Sequence, residues 1–352
     1  MSARPEIRGV TITGTGRCLP PRVVTNFDLE KIVDTSDEWI RERTGISERR
    51  FSDPGVNSSD LAREAAEQAL TMAGISAEEV DQIIVATTTP DRYLPSCACT
   101  VQAKLGAKRA AAYDMFAACT GFVYGMSIAR GLIGSGVAET VLVIGVEQLS
   151  RIMDLKDRNT CVLFGDGAGA AIFRPCEPGT GILGIDIHSD GNQGELLEIP
   201  AGGGALPASH ETVDQGGHFI RMKGKELFKV AVRGMYDSMR VALDRSGLTI
   251  TDIDLVIPHQ ANKRIIDAVT ERLGVPDEKV VLNIDRYGNT SSASIPISLD
   301  EVVRSGRVKP GDCIGYVAFG GGVTWGAAVQ RWTAPVPVAA LKAAPATAEM
   351  RA

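Results

Sequence analysis

Histidine and aromatic residues are scarce in this chain: four histidines among 352 residues, and an aromatic content of 5%. Basic residues are outnumbered, 37 against 43 acidic ones, for a net charge of −6. That balance excludes a general nucleic-acid binder, which carries a basic excess. No apolar run reaches the length of a membrane span, and no charged-then-apolar leader opens the chain, so export and membrane insertion are not expected. Cysteine is present but odd in number, at seven. Cys97 and Cys99 form the only close pair, and no second pair completes a metal site. The set reads as reduced thiols of a cytoplasmic protein.

What is present suits a large α/β enzyme. A hydrophobic content of 44% fills two domains or one double domain. Gln82 to Ala86, Ala111 to Met115, Val141 to Gly145, Leu255 to Ile257, Val280 to Ile284 and Ile314 to Ala318 read as strands. Helical patterns separate them, among them a helix from about Gly121 with Phe122, Met126, Ala129 and Ile133 on one face, and another from about Asn262 to Leu273. Near-continuous apolar strands alternating with helices predict a mainly parallel, buried sheet.

Two stretches repeat each other. Gly74 is followed by Asp81 and an apolar run, and Gly247 by Asp254 and another, 173 residues later. Cys119 opens a segment that ends at Gly136, and Asn289 one that ends at Gly306, an offset of 170. Self-similarity at a fixed spacing signals a duplicated unit. The expected organisation is a first half over residues 1–174 carrying the cysteine, a second over 175–332, and a mobile Ala/Pro-rich tail over 333–352.

Three residues stand out. Cys119 lies between a strand and a helix among small neighbours, where the helix dipole favours the thiolate and backbone N–H groups face an oxyanion. A small buried thiol is the competing reading. His259 follows a strand directly, the place where open α/β sheets put their sites, although a lone histidine is often structural. Asn289 precedes a helix and by itself is an ordinary N-cap; its match to Cys119 in the repeat lifts it above that. Three glycines, Gly320 to Gly322, close a strand and permit close approach of backbone to a ligand, or a plain turn. The glycines at 14 and 16, and those from 165 to 169, lack dinucleotide-fingerprint spacing and read as packing.

Set in their motifs (ACTGF, PHQAN and GNTS), these three residues resemble the signature of β-ketoacyl-acyl carrier protein synthase III. DTSDEWI at 34–40, RTGI at 43–46, FGDGAGA at 164–170 and FGGGVTWG at 319–326 agree, and the likeness runs from about Ile7 to Trp332. The resemblance implies a thiolase-like duplicated fold with five α-β-α-β-α layers, a homodimer, and no cofactor, coenzyme A thioester being a substrate. It also implies decarboxylative condensation of acyl-CoA with malonyl-acyl carrier protein, beginning fatty-acid synthesis. Cys119 is then the nucleophile, His259 and Asn289 hold the malonyl thioester oxygen, and the Cys119 and Gly321 N–H groups form the oxyanion hole.

By the same likeness Trp39 and Arg158 sandwich the adenine and Arg43 lies near the phosphates. Asn262 is the hydrogen-bonding neighbour of the histidine. Lys263 and Arg264, with Lys223, Lys225 and Lys229, form a carrier-protein docking patch, although Glu271 stands where the family often has a base. Leu94 occupies a position often held by phenylalanine, where a partner subunit closes the acyl pocket. A starter-unit enzyme of a polyketide pathway is the alternative. A thiolase would need a second cysteine near Gly320 to Val323, which is absent, and a silent scaffold has no need of all three polar residues.

Overall fold

The computed structural model describes residues 8–334. Nine strands form the main sheet: β1 (Gly9–Cys18), β2 (Gln82–Ala86), β3 (Ala111–Met115), β4 (Val141–Gln148), β5 (Asp166–Cys176), β6 (Gly181–Ser189), β7 (Leu255–Pro258), β8 (Cys313–Gly320) and β9 (Thr324–Arg331). Their order is β7-β8-β9-β6-β1-β5-β4-β2-β3. Pairing is parallel through β3-β2-β4 and β7-β8, as expected, and antiparallel where β5 and β9 join their neighbours. Only Val10 and Gly181 link β1 to β6, so two half-sheets meet at a single pair.

Helices fill the spaces between and outside. α1 (Asp37–Thr44) lies near the site, and α2 (Ser58–Ala73) and α3 (Cys97–Leu105) cover the first half-sheet. α4 (Gly121–Gly134) and α7 (Ser294–Arg304) pack between the half-sheets, and α5 (Gly224–Ser246) and α6 (Lys263–Leu273) cover the second. The five expected layers result. The apolar face read for α4 is real: Phe122, Met126, Ala129 and Ile133 are fully buried. Burial of each large side chain among them contributes about 1.5–3 kcal/mol. The other glycines pack as expected too, since a side chain on Gly14 or Gly16 would strike the α2 backbone.

The repeat is present, but its register differs from the one read at the cysteine. Gly74 and Gly247 both end helices in the left-handed conformation, 173 residues apart. Ala118 (φ 43°) and Ser291 (φ 49°) are the two non-glycine residues with positive φ among those described, again 173 apart. The short turns over Ala118–Thr120 and Ser291–Ala293, and the starts of α4 and α7, keep the same offset. Ser292, not Asn289, is therefore the structural counterpart of Cys119. The offset of 170 arose because α7 has 11 residues and α4 has 14, so counting between helix ends slips by three.

Val280 to Ile284 is not a strand. Val280 makes one parallel bridge to Val256, and Ile284–Tyr287 turns into a helix. The side chain of Gln260 is the cause. Its Oε1 accepts the N–H groups of Asn283 (3.0 Å) and Ile284 (3.1 Å), which draws the chain away from the sheet edge. Near the proposed half boundary, β5 continues through Arg174 to Cys176. Thr333 bonds Thr11 at 2.7 Å, and the rest of the expected tail, 335–352, lies outside the described residues.

Candidate active site

Cys119, His259 and Asn289 line one cavity of about 910 Å³. Cys119 sits at the strand-to-helix junction after β3, in the turn that leads into α4. His259 follows the last residue of β7, and Asn289 bridges to Phe164 between the two halves. Both ends of that bridge are pinned, Asn289 N–H to Leu163 O at 2.8 Å and Gly165 N–H to Asn289 O at 2.9 Å. All three residues are buried, at 8%, 1% and 6% exposure. The cavity alone gives them access to a ligand.

Two hydrogen bonds decide what these side chains present. Asn289 is not the N-cap of α7, which begins five residues later. Its Oδ1 accepts the Ser291 N–H at 2.8 Å, so the amide offers its Nδ2 hydrogens as donors. His259 Nδ1 lies 2.7 Å from Ser294 Oγ, and that oxygen already accepts the Gln260 N–H at 3.3 Å. Among the described residues no other acceptor lies within reach of the serine proton, so Nδ1 is assigned as its acceptor and the ring hydrogen is placed on Nε2. Imidazole and amide both become neutral donors. Burial depresses the His259 pKa to about 3, so the ring carries no charge near pH 7.

Burial also governs the thiol. The Cys119 pKa is pushed up to about 12, chiefly by desolvation, with the nearby Glu147 charge adding to it and a Ser291 hydrogen bond opposing it. The expectation that the helix end favours a thiolate is overridden by burial, because desolvation of a charge outweighs a terminal dipole. Cys119 rests as a thiol. Beside it, Gly320 leaves room: a side chain there would stand 2.7 Å from the Cys119 nitrogen. Gly321 is one residue further on, facing Leu197 instead of lining the cavity.

The cavity mouth carries Arg43, Arg158, Lys225, Lys229 and Arg264, and no carboxylate. In an acidic protein that concentration of cations is a local reversal of charge. The Trp39 ring has the Arg43 guanidinium 5.0 Å and the Arg158 guanidinium 4.9 Å from its centroid. Arg158 also donates to the Asp34 carbonyl at 3.0 Å, and Lys263 and Lys223 are held by Asp267 (2.7 Å) and Glu195 (2.9 Å). Asn262 lines the cavity but does not neighbour His259 by a hydrogen bond. It caps α6 through Arg264 N–H (2.9 Å) and donates to Arg43 O (3.1 Å), because it is the residue at which the helix begins. Leu94 is 86% exposed and lies outside its own chain's cavity.

Sequence reasoning missed Ser291, Ser294 and Glu147. A signal for the serines existed: Ser291, Ser292 and Ser294 form a polar run over the turn and first residue that open α7, ahead of the apolar Ile295 and Ile297. Glu147 carried the same kind of signal as His259, a charged residue at the carboxyl end of an apolar strand, and it was passed over.

Comparison with known proteins agrees with this geometry. The family model for 3-oxoacyl-[acyl-carrier-protein] synthase III matches residues 113–191, and the model of that family's C-terminal part matches residues 243–332. The beta-ketoacyl-[acyl-carrier-protein] synthase III of Caldanaerobacter subterraneus is 55% identical over 92% of this chain and 97% of its own. The crystal structure of the 3-oxoacyl-[acyl-carrier-protein] synthase III of Aquifex aeolicus superposes with a TM-score of 0.85 at 51% identity, covering 92% of this chain and all of that one. A priming β-ketosynthase from the R1128 polyketide pathway superposes at 0.88, but at 35% identity, over 95% of this chain and 99% of its own.

Proposed function

The chain belongs to the 3-oxoacyl-[acyl-carrier-protein] synthase III family, the condensing acyltransferases that start fatty-acid synthesis, and from that premise we propose how its cavity works. The supporting observation is one cavity with a thiol and two neutral donors inside and five cations at its mouth. Acyl-CoA enters with its phosphates among Arg43, Arg158 and the lysines, where charge-assisted hydrogen bonds are strong. Its adenine stacks beside Trp39. The Cys119 sulfur attacks the thioester carbon, the carbon–sulfur bond to coenzyme A breaks, and the departing thiolate takes the thiol proton. Backbone N–H groups of Cys119 and of Gly321, the residue that follows the cavity-lining Gly320, hold the tetrahedral oxyanion.

Malonyl-acyl carrier protein follows, its thioester oxygen between His259 Nε2–H and the Asn289 amide. As carbon dioxide leaves, the electrons of the broken carbon–carbon bond pass onto that oxygen as an enolate. Two donors already aimed at the oxygen stabilise this charge more than the ground state, and that difference lowers the barrier. The enolate carbon attacks the acyl-cysteine carbonyl. Collapse releases 3-oxoacyl-acyl carrier protein and the Cys119 thiolate, which regains a proton. Every step uses groups of the protein and substrates, with no metal or further cofactor.

Arg264, Lys225 and Lys229 are the cations that suit the acidic carrier protein; Lys263 contributes less while Asp267 holds it. The reading extends to a homodimer. Supporting it, β3 ends the sheet, and Phe116 (68% exposed) and Leu94 (86%) stand unburied beside it. In the dimer Leu94 would close the partner's acyl pocket. The cytoplasm suits seven cysteines that are all free thiols. A polyketide role has less support, since the fatty-acid relatives named above are the more similar in sequence. Turnover of malonyl-acyl carrier protein with a panel of acyl-CoA starters tests the proposal. It predicts 3-oxoacyl product and an acyl group recovered on the peptide containing Cys119; an acyl group recovered elsewhere would reject the assignment.

A further inference from the structure

Glu147, at the end of β4, is a fully buried carboxylate to which the chemistry above gives no task. Among the described residues it forms no salt bridge. Instead it gathers donors from both halves of the molecule. Thr88 gives its N–H to both oxygens at 3.1 Å and its hydroxyl at 3.0 Å, and Thr89 its hydroxyl at 2.6 Å. From the other half, Ser291 Oγ reaches Glu147 Oε1 at 3.1 Å. Burial pushes the Glu147 pKa up while the Thr89, Thr88 and Ser291 donors hold it down, and the Ser291 hydroxyl, which also lies beside Cys119, divides its one proton between the carboxylate and the sulfur.

Ser291 is the residue held at φ 49°, a conformation unfavourable for any side chain other than glycine. Its backbone N–H is the group that fixes the Asn289 amide, at 2.8 Å. A chain of contacts therefore runs from Glu147 through the Ser291 hydroxyl to the Ser291 backbone and on to Asn289 Oδ1. Nearby, Gly145 on the same strand lacks the side chain that would collide with the Ser292 carbonyl, so β4 and this turn are built to lie in contact.

We propose that Glu147 is a positioning residue for decarboxylation: it anchors Ser291 in its left-handed conformation and thereby aims the Asn289 amide at the malonyl thioester oxygen. The inference rests on the assignment of Asn289 as an oxyanion donor. It predicts a division between the two half-reactions. Aiming Asn289 matters when negative charge develops on the malonyl thioester, whereas acylation of Cys119 makes no use of that amide. Acylation has a reason to improve when Glu147 is neutralised, since the carboxylate charge raises the barrier to forming a thiolate at Cys119.

The test compares Glu147→Gln, Ser291→Ala and Asn289→Ala in the full-length enzyme. Two rates are read separately: transfer of label from acyl-CoA to Cys119, and release of carbon dioxide from malonyl-acyl carrier protein without a starter. Glu147→Gln is expected to slow decarboxylation by roughly 10–100-fold, the range for loss of an outer support, while acylation is maintained or rises. Ser291→Ala, which keeps Glu147, should slow decarboxylation in the same range and serves if the first variant does not fold. Unchanged decarboxylation in both, with Asn289→Ala impaired, overturns the inference and leaves the Asn289 assignment standing. Normal decarboxylation in Asn289→Ala removes that assignment and the inference with it. Equal loss of both half-reactions in Glu147→Gln and Ser291→Ala makes the network merely structural and also overturns it.

Discussion

Ser294 Oγ stands 2.7 Å from His259 Nδ1, and through that contact a serine on the first turn of one helix selects the tautomer of a histidine 35 residues earlier. Removing the hydroxyl leaves Nδ1 free to hold the ring proton, which deprives the cavity of the Nε2 donor. Ser294→Ala should slow decarboxylation of malonyl-acyl carrier protein by about tenfold, in line with outer-shell effects, and spare acylation of Cys119. Separate measurement of the two half-reactions checks this; an unchanged decarboxylation rate removes Ser294 from the mechanism.

A neutral His259 has consequences for pH. Its folded pKa, about 3, lies below the ordinary value of 6.5. Between those values the unfolded chain binds more protons, so this residue's contribution to stability is complete above pH 6.5 and declines as pH falls towards 3. Malonyl decarboxylation should show no titration near 6.5. The melting temperature of a His259→Gln variant should fall less between pH 7 and pH 5 than that of the unaltered protein. A clear inflection near 6.5 in the rate profile would contradict the neutral donor.

The resting Cys119 thiol makes an independent prediction. With its pKa near 12, alkylation of the free enzyme by iodoacetamide should keep accelerating above pH 9, without a plateau near neutrality. Cys119→Ala should lose all transfer of label from acyl-CoA yet still decarboxylate malonyl-acyl carrier protein. Retained label on that variant would move the nucleophile elsewhere.

Loss of one donor at the thioester oxygen costs catalysis, not binding. Asn289→Ala should reduce condensation by roughly 10²–10³, the usual effect of deleting one oxyanion donor. Steady-state kinetics with saturating substrates reads this as a fall in kcat, and an unaltered kcat would exclude the residue.

Trp39 and its two arginines act at the other end of the cavity. Trp39→Ala should raise KM for acyl-CoA by about tenfold with kcat nearly unchanged, since a stacking contact far from the reacting carbon is made equally in ground and transition states. Arg158→Ala should also weaken the dependence of KM on salt, because fewer charges then meet the nucleotide phosphates. A kcat effect in either variant would place the group nearer the chemistry.

Much of this arrangement was legible in one dimension. Strand and helix signals gave β2, β3, β4 and α4 because each depends on residues a few positions apart. Cys119 and His259 were conspicuous as polar groups at the ends of apolar strands. Val280 to Ile284 misled, since only Gln260, brought beside it by folding, decides that the segment leaves the sheet. The equivalence of Cys119 with Asn289 misled for a different reason: helix ends do not reveal where within a helix three residues are missing.

From the sequence alone came the duplication and the inventory of thiol, imidazole and amide, since spacing and composition are properties of the chain itself, while the five layers came through the family resemblance. Tertiary structure decided the protonated thiol, the tautomer of His259, the orientation of Asn289 and the placement of Glu147. Those depend on desolvation and on which donors meet which acceptors once the chain has folded. Neither is settled until partners such as His259 and Ser294, or Glu147 and Ser291, share one dry interior.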